Sequence, residues 1–248
     1  MEHYGTSLPA AIVQVVQDQD CSYLPGLAAR LCYRLIPNCS AARYQAMLER
    51  GWRRFGCTFF RPVCLGCSAC RSLRVDTDRF TSNRSMRRTR AKNRDLEVFL
   101  RPASASPEQL RLYERYHRDM AQRKSWTYRP LGTSGYRQTF VDGRRDYGHE
   151  LLYRLDGRLV AVALVDLLPR ALSAVYCYYE PTLRHRGLGT FSVLRQIELA
   201  QELSIPFVYL GFRVEGNAST RYKGTFKPHQ ILHGRPDDDQ PPLWNEVG

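Results

Sequence analysis

Residues 158–200 read RLVAVALVDLLPRALSAVYCYYEPTLRHRGLGTFSVLRQIELA. Residues 158–165 and 172–179 are rich in β-branched and aromatic side chains and read as strands. Residues 187–203 carry apolar positions at helical spacing. Between strand and helix lies Arg184-His185-Arg186-Gly187-Leu188-Gly189. A helix opening on this loop presents unpaired N–H groups and the positive end of its dipole. Its glycines let a ligand come close to the backbone. The loop is a candidate anion cradle.

Working outward, residues 150–155 form a partner strand joined to 158–165 through the Asp156-Gly157 turn. Residues 207–210, after Pro206, form another. Upstream, Ser106-Pro107-Glu108 opens a helix with Leu110, Tyr113, His117 and Met120 on one stripe. A lone histidine on such a stripe is most simply a packed or surface residue. Residues 98–107 read as a connection, and 125–146 as loop with one short helix near 136–140. Residues 82–96 read as a basic helix, 73–76 as a strand, and 27–36 as a strand or short helix. Ser40 caps a helix ending at Gly51. A short strand falls at 11–16, and the acidic, Pro-rich tail from Pro236 should fray. The expected division is an N-terminal region 1–97, a C-terminal α/β domain 107–232 and a tail 233–248.

The net charge of +13 is concentrated. Between Arg50 and Arg94 stand 13 basic residues against Asp76 and Asp78, and all but Lys92 are arginines. A solvated face explains such a window less well than a polyanion partner, of which nucleic acid is the commonest. The window lacks the apolar face of a membrane-binding helix. Aromatics interleave with its arginines at Trp52-Arg53-Arg54-Phe55 and Phe59-Phe60-Arg61, a mixture that stacks bases and holds phosphates or builds an ordinary strand. No apolar run reaches 18 residues, so no membrane span is expected. The first ten residues lack a signal-peptide pattern, and the expected compartment is the cytoplasm. In a reducing compartment Cys64, Cys67 and Cys70, spaced C-x2-C-x2-C, are thiols or ligands. Cys21 or Cys57 could complete a zinc or iron–sulfur site; the alternative is a Cys-rich turn.

The antiparallel strands feeding R-x-x-G-x-G and a helix resemble the acyl-CoA N-acyltransferase (GNAT) superfamily. A second resemblance covers roughly two hundred residues. Cys21-Ser-Tyr-Leu-Pro-Gly26, Gly51-Trp-Arg-Arg54, Arg61-Pro62, Cys64-Leu-Gly-Cys67-Ser-Ala-Cys70, Arg84-Ser-Met-Arg-Arg88, Asn93, Leu159–Asp166, Leu172–Tyr176, Tyr179-Glu-Pro181, Arg186–Thr190, Gln196-Ile-Glu198, Tyr209-Leu-Gly211 and Tyr222-Lys223 occur in order. On these stretches the sequence resembles the bacterial aspartate/glutamate leucyltransferases, N-end rule aminoacyl-tRNA–protein transferases related to eukaryotic arginyltransferases.

The resemblance implies an α+β protein with a GNAT-like C-terminal domain behind a basic, Cys-rich N-terminal region. The implied reaction moves leucine from leucyl-tRNA to the N-terminal Asp or Glu of an acceptor protein and marks it for degradation. The transfer requires no cofactor; a zinc ion or iron–sulfur cluster at Cys21, Cys64, Cys67 and Cys70 would be an addition. In this frame Asp166 or Glu180 could accept a proton, and Tyr176 or Tyr178 could donate one. Arg53, Arg54, Arg84, Arg87, Arg88, Lys92, Gly187 and Gly189 are the expected tRNA-binding residues. Arg74, Arg184 and Arg186 are the candidates for the acceptor's carboxylate, and Arg184 and Arg186 could equally hold the tRNA terminal phosphate. Each has a plainer reading as turn, sheet or surface-pair residue. Four departures, Met86, Gly187, Phe212-Arg213-Val214 and Glu180, leave the donor open between leucine and arginine. A CoA-dependent N-acetyltransferase and a non-enzymatic RNA-binding module with a Cys-bound metal are the rival readings.

Overall fold

The computed structural model describes residues 13–128, 130–143 and 146–247. The first ten residues and the start of the strand expected at 11–16 lie outside the described residues. The first half runs β1 (Val13–Asp20), β2 (Ala28–Leu35), α1 (Ala41–Glu49), β3 (Arg53–Phe55), β4 (Thr58–Pro62), β5 (Arg71–Asp76), α2 (Arg84–Lys92) and β6 (Glu97–Pro102). Then come α3 (Pro107–Lys124), α4 (Thr133–Tyr136), β7 (Gly148–Leu155), β8 (Arg158–Leu168), β9 (Ala171–Tyr179), α5 (Leu188–Glu202), β10 (Phe207–Arg213), β11 (His229–Leu232) and β12 (Trp244–Val247). The fold mixes helices and strands in two sheets, ordered β1-β2-β4-β3 and β12-β11-β5-β10-β9-β8-β7-β6.

The near-continuous apolar run of β8 follows from its central position. Ala161, Ala163 and Val165 meet Phe191, Leu194 and Ile197 of α5 on one face. Val162 and Leu164 meet Leu112, Tyr113 and Met120 of α3 on the other. A strand covered on both faces needs no polar alternation. Each such side chain contributes about 1.5–3 kcal/mol when fully buried. Serine 106 caps α3 through Gln109 N–H, and Gln109 returns a bond to the Ser106 N–H.

Several expectations change. Residues 98–102 belong to β6, whose backbone pairs with β7. The segment 27–36 contains strand β2, since it pairs with β1 and β4. The tail does not simply fray. Its end forms β12 against β11, and Asp237 and Asp238 reach back to Arg61 and Arg34. The main sheet takes strands from both sides of residue 100: β5 lies antiparallel to β10 and to β11. Among the described residues no helix is long and apolar enough to cross a membrane.

Two irregularities open the sheet. In β9, Val175 is an extra residue between the pairs Leu164–Tyr176 and Val165–Ala174, a bulge. Strand β10 runs parallel to β9, yet it pairs only Phe207–Tyr209 with Ala171–Ser173. Beyond that point the ladder between them ends.

Candidate active site

A cleft of about 1280 Å³ occupies this opening. Ala174, Val175 and Tyr176 line it from β9, and Leu210, Gly211 and Phe212 line it from β10. Its floor includes Gly187, Gly189, Thr190 and Gln196 of the loop and α5. Gly187 stands at φ +70°, where a side chain is strained, and a Cβ there would sit 3.5 Å from Thr89 of α2. The residues before it, Pro181–Arg186, form a 3-10 turn rather than an open loop.

One wall is aromatic. Tyr176 stacks on Phe140, with centroids 5.5 Å apart, and meets Phe55 edge-on. Its hydroxyl and the His117 Nε2 are 2.9 Å apart. His117 also lies against Tyr113, Trp126 and Tyr128. Burial lowers the His117 pKa to about 4, so the imidazole is neutral at physiological pH. Burial also keeps the Tyr176 hydroxyl protonated far above its ordinary range. The wall is thus an uncharged hydroxyl–imidazole pair within aromatic surface.

The depressed histidine has a sign-definite consequence. Its contribution to stability is complete above about pH 6.5, the unfolded value, and is lost as pH falls from there towards 4. The difference between the pH–stability curves of wild type and His117→Asn should therefore slope across that window. Parallel curves in urea titrations between pH 4 and 7 would contradict a buried neutral imidazole.

Of the four residues expected to do acid–base chemistry, only Tyr176 lines the cleft. Asp166 is fully buried, and both its oxygens accept from Arg54. Glu180 is 4% exposed and lies between Arg115 and Arg158, each at 3.0 Å. Burial pushes its pKa up, but Arg115 and the Thr182 hydrogen bonds outweigh burial and hold it down. The Tyr178 hydroxyl is 2.6 Å from that of Tyr136, inside the core under α3. The acid–base candidates other than Tyr176 are corrected to structural partners, because their polar atoms are already satisfied away from the cleft.

The basic residues divide similarly. Arg53, Gly187 and Gly189 line the cleft. Arg84, Arg87, Arg88 and Lys92 are exposed along α2. Arg54 is corrected from tRNA contact to buried cation: Asp166 and the Gly56 carbonyl occupy its guanidinium, between Tyr44 and Tyr147. Arg74, expected on the acceptor's carboxylate, is half-buried and already engaged. It donates to Gln230 and Tyr209 and is sandwiched by Phe207 and Trp244 at 3.9 and 4.3 Å. Arg186 clamps the cradle to α2 through the Lys92 carbonyl and Asp95, beside Asn93, whose amide donates to the Arg186 carbonyl. Arg184 is exposed on the 3-10 turn, off the cleft.

The four cysteines Cys21, Cys64, Cys67 and Cys70 line a smaller cavity of about 40 Å³ that shares Cys21, Ser22 and Tyr23 with the cleft. Burial first, then the neighbouring Cys21, Cys64 and Cys67, push the Cys70 thiol up to about 12. Cys64 Sγ accepts the Arg30 N–H. Among the described residues no group of three or more His, Cys, Asp or Glu is arranged to hold a metal ion. The four cysteines expected as ligands thus share one cavity as thiols.

Two residues that sequence reasoning passed over join the site. His117 looked like a packing residue, since its stripe is otherwise core. Lys223 stood in a matching motif, but nothing in the motif says that it faces a cleft.

A cleft with cations unpaired among the described residues, an aromatic wall and a glycine-opened helix start suits an anionic ligand. Residues 19–88 and 108–233 match the N-terminal and C-terminal models of arginine-tRNA-protein transferase, and the chain belongs to that family. It is 38% identical over 224 residues to the aspartate/glutamate leucyltransferase of Helicobacter hepaticus, covering 90% of this chain and 93% of that one. Those of Campylobacter jejuni (strain 81-176) and Halorhodospira halophila are also 38% identical, across 88% and 87% of this chain and 91% and 92% of theirs. Among solved structures, FemX aligns with a TM-score of 0.47 and 9% identity over 81% of this chain and 79% of its own. The C-terminal domain of a lysylphosphatidylglycerol synthetase from Agrobacterium fabrum aligns at 0.45 and 13%, over 64% and 57%.

Proposed function

We propose that the protein transfers leucine from leucyl-tRNA to the N-terminal Asp or Glu of acceptor proteins. The observation that carries this reading is the charge of the cleft. Apart from Arg54, which Asp166 neutralises, its lining includes Arg53, Lys124 and Lys223, with Arg123 paired to Asp119, but only one acid, Asp20. Phosphates and an acidic acceptor suit such a wall. The guanidinium of an arginyl donor does not, because a buried cation needs a paired anion. The apolar leucine side chain suits the surface of Phe55, Phe60, Trp126 and Tyr176. The bulged β9, its divergence from β10 and the glycine-opened α5 support a GNAT-like arrangement in which the 3′ end of the tRNA takes the cofactor's usual place.

In the reaction the acceptor's neutral α-amine attacks the ester carbonyl. A peptide bond forms, the ester C–O bond breaks, and the ribose oxygen leaves with a proton. The amine titrates near 7.7–8.0, so part of it is neutral without a strong base. Holding the two reactants together supplies up to about 7–11 kcal/mol. In this reading Tyr176, on the cleft wall, donates to the developing oxyanion or to the leaving oxygen.

Exposed Arg84, Arg87, Arg88 and Lys92 line up to contact tRNA phosphates. Removing two of them in Arg87→Ala/Arg88→Ala should flatten the plot of log affinity against log salt by roughly 1.4–1.8. Thermal stability should stay within about 0.5 kcal/mol, because both side chains are exposed. An unchanged slope would remove α2 from the interface. The reading as a whole is tested by offering an Asp-starting peptide with leucyl-tRNA or acetyl-CoA. Leucylation is expected, and acetylation without tRNA would replace the reading with a CoA enzyme.

A further inference from the structure

Two cations meet in the mouth of the opened sheet. Arg53 arrives from β3 and Lys223 from the 3-10 turn Arg221–Thr225. A Cβ built on Gly211 would lie 3.5 Å from Arg53 Nε and 3.5 Å from Lys223 Nζ, which puts the two nitrogens within about 7 Å of each other. Gly211 stands at φ +80° and at the register slip of β10 against β5. Its missing side chain leaves the space that both cations face.

Each cation is anchored by a backbone carbonyl past the end of the β9–β10 ladder. Arg53 Nη2 donates to Ala174 O, and Lys223 Nζ donates to Phe212 O at 3.0 Å. Arg53 is 8% exposed, yet its buried Nη1 has no hydrogen-bond partner among the described residues. An ammonium has three donors, so Lys223 keeps further hydrogens free. Arg54 next door has Asp166, while no ion pair among the described residues includes Arg53 or Lys223. Burial first, and then Arg53, lower the Lys223 pKa to about 7. A buried unpaired donor beside a second uncompensated cation is costly unless a ligand completes it.

We propose that Arg53 and Lys223 bind the side-chain carboxylate of the acceptor's first residue. The inference deepens the proposed function and rests on it for the reaction, but not for the binding. A planar group with two oxygens can take the open Nη1 and the free Nζ hydrogens together. The site shares the cleft with Tyr176, so an acceptor held here has its amine in the space where the ester would react. It replaces the earlier candidates Arg74, Arg184 and Arg186, which lie off the cleft. A phosphate of the tRNA end is the other anion that could sit here. It is the weaker fit, because the glycine-opened start of α5 and the exposed cations of α2 already serve phosphates.

The test compares otherwise identical peptides starting with Asp and with Asn. Equilibrium binding of each to the intact protein without tRNA comes first, and leucine transfer follows. Wild type should bind the Asp peptide at least about 30-fold more tightly than the Asn peptide. Lys223→Met should bring that ratio close to one, and Lys223→Arg should keep most of it. Transfer should show the same collapse in KM rather than in kcat. An Asp/Asn ratio that survives Lys223→Met overturns the proposal. So does a variant that loses tRNA affinity with the ratio intact, which would make this a phosphate site. Selective Asp-peptide binding by a protein that transfers no leucine would uphold the carboxylate site and sink the reaction instead.

Discussion

Asp166→Leu should cost about 3–5 kcal/mol of folding stability, and adding Arg54→Met should recover most of it. The two side chains are 0% and 1% exposed, so the pair has no solvent to fall back on. Removing the carboxylate leaves a guanidinium that cannot lose its proton, enclosed by Tyr44 and Tyr147. Replacing both residues with apolar groups of similar size removes the uncompensated charge as well as the pair. Against a typical total of about 5–15 kcal/mol, the single change is a large loss and the double change a small one. Urea denaturation of the three variants reads it directly. The same series separates structure from chemistry. A folded double variant that still transfers leucine excludes Asp166 as the base, whereas a stable but inactive Asp166→Leu would return it to the catalytic list.

Tyr176→Phe should lower kcat by about 10²–10³-fold with little change in KM or in thermal stability. The hydroxyl meets a neutral His117 at 2.9 Å at the cleft wall, so its loss removes a donor but no ring packing. Tyr178→Phe serves as the control, since its hydroxyl bonds Tyr136 inside the core. It should alter stability by about 1 kcal/mol and leave kcat near wild type. Equal kinetic losses in both would mean that sheet geometry, rather than the Tyr176 hydroxyl, sets the rate.

The strand–loop–helix around residues 158–200 was legible because its signals are local. Apolar strands, the Asp156-Gly157 turn and a glycine-opened helix lie within a few residues of one another. The place of β5 was not, because its partners β10 and β11 follow about 130 residues or more later, and register across such a distance leaves no periodic trace. Charge was read correctly as a total and incorrectly by residue. Arg53 and Arg54 are neighbours of the same type on one strand. Strand alternation turns the Arg54 guanidinium towards Asp166 and the Arg53 guanidinium towards the Ala174 carbonyl at the cleft. Nothing in the pair Arg-Arg says which is which. The acids Asp166 and Glu180 looked free for the same reason: their counterions, Arg54 and Arg115, are distant in the chain. His117 was set aside on a sound general ground, and only Tyr176 across the cleft wall gives it a polar partner there.

The most direct test of the account is a donor panel. Leucyl-, methionyl-, phenylalanyl- and arginyl-tRNA are each offered with peptides starting with Asp, Glu, Arg or Lys, and the products are read by mass spectrometry. A cleft with an aromatic wall, several cations and a single acid predicts leucine on the Asp and Glu peptides and no arginine on any. Arginine on the Asp and Glu peptides, or leucine on the Arg and Lys peptides, would contradict it.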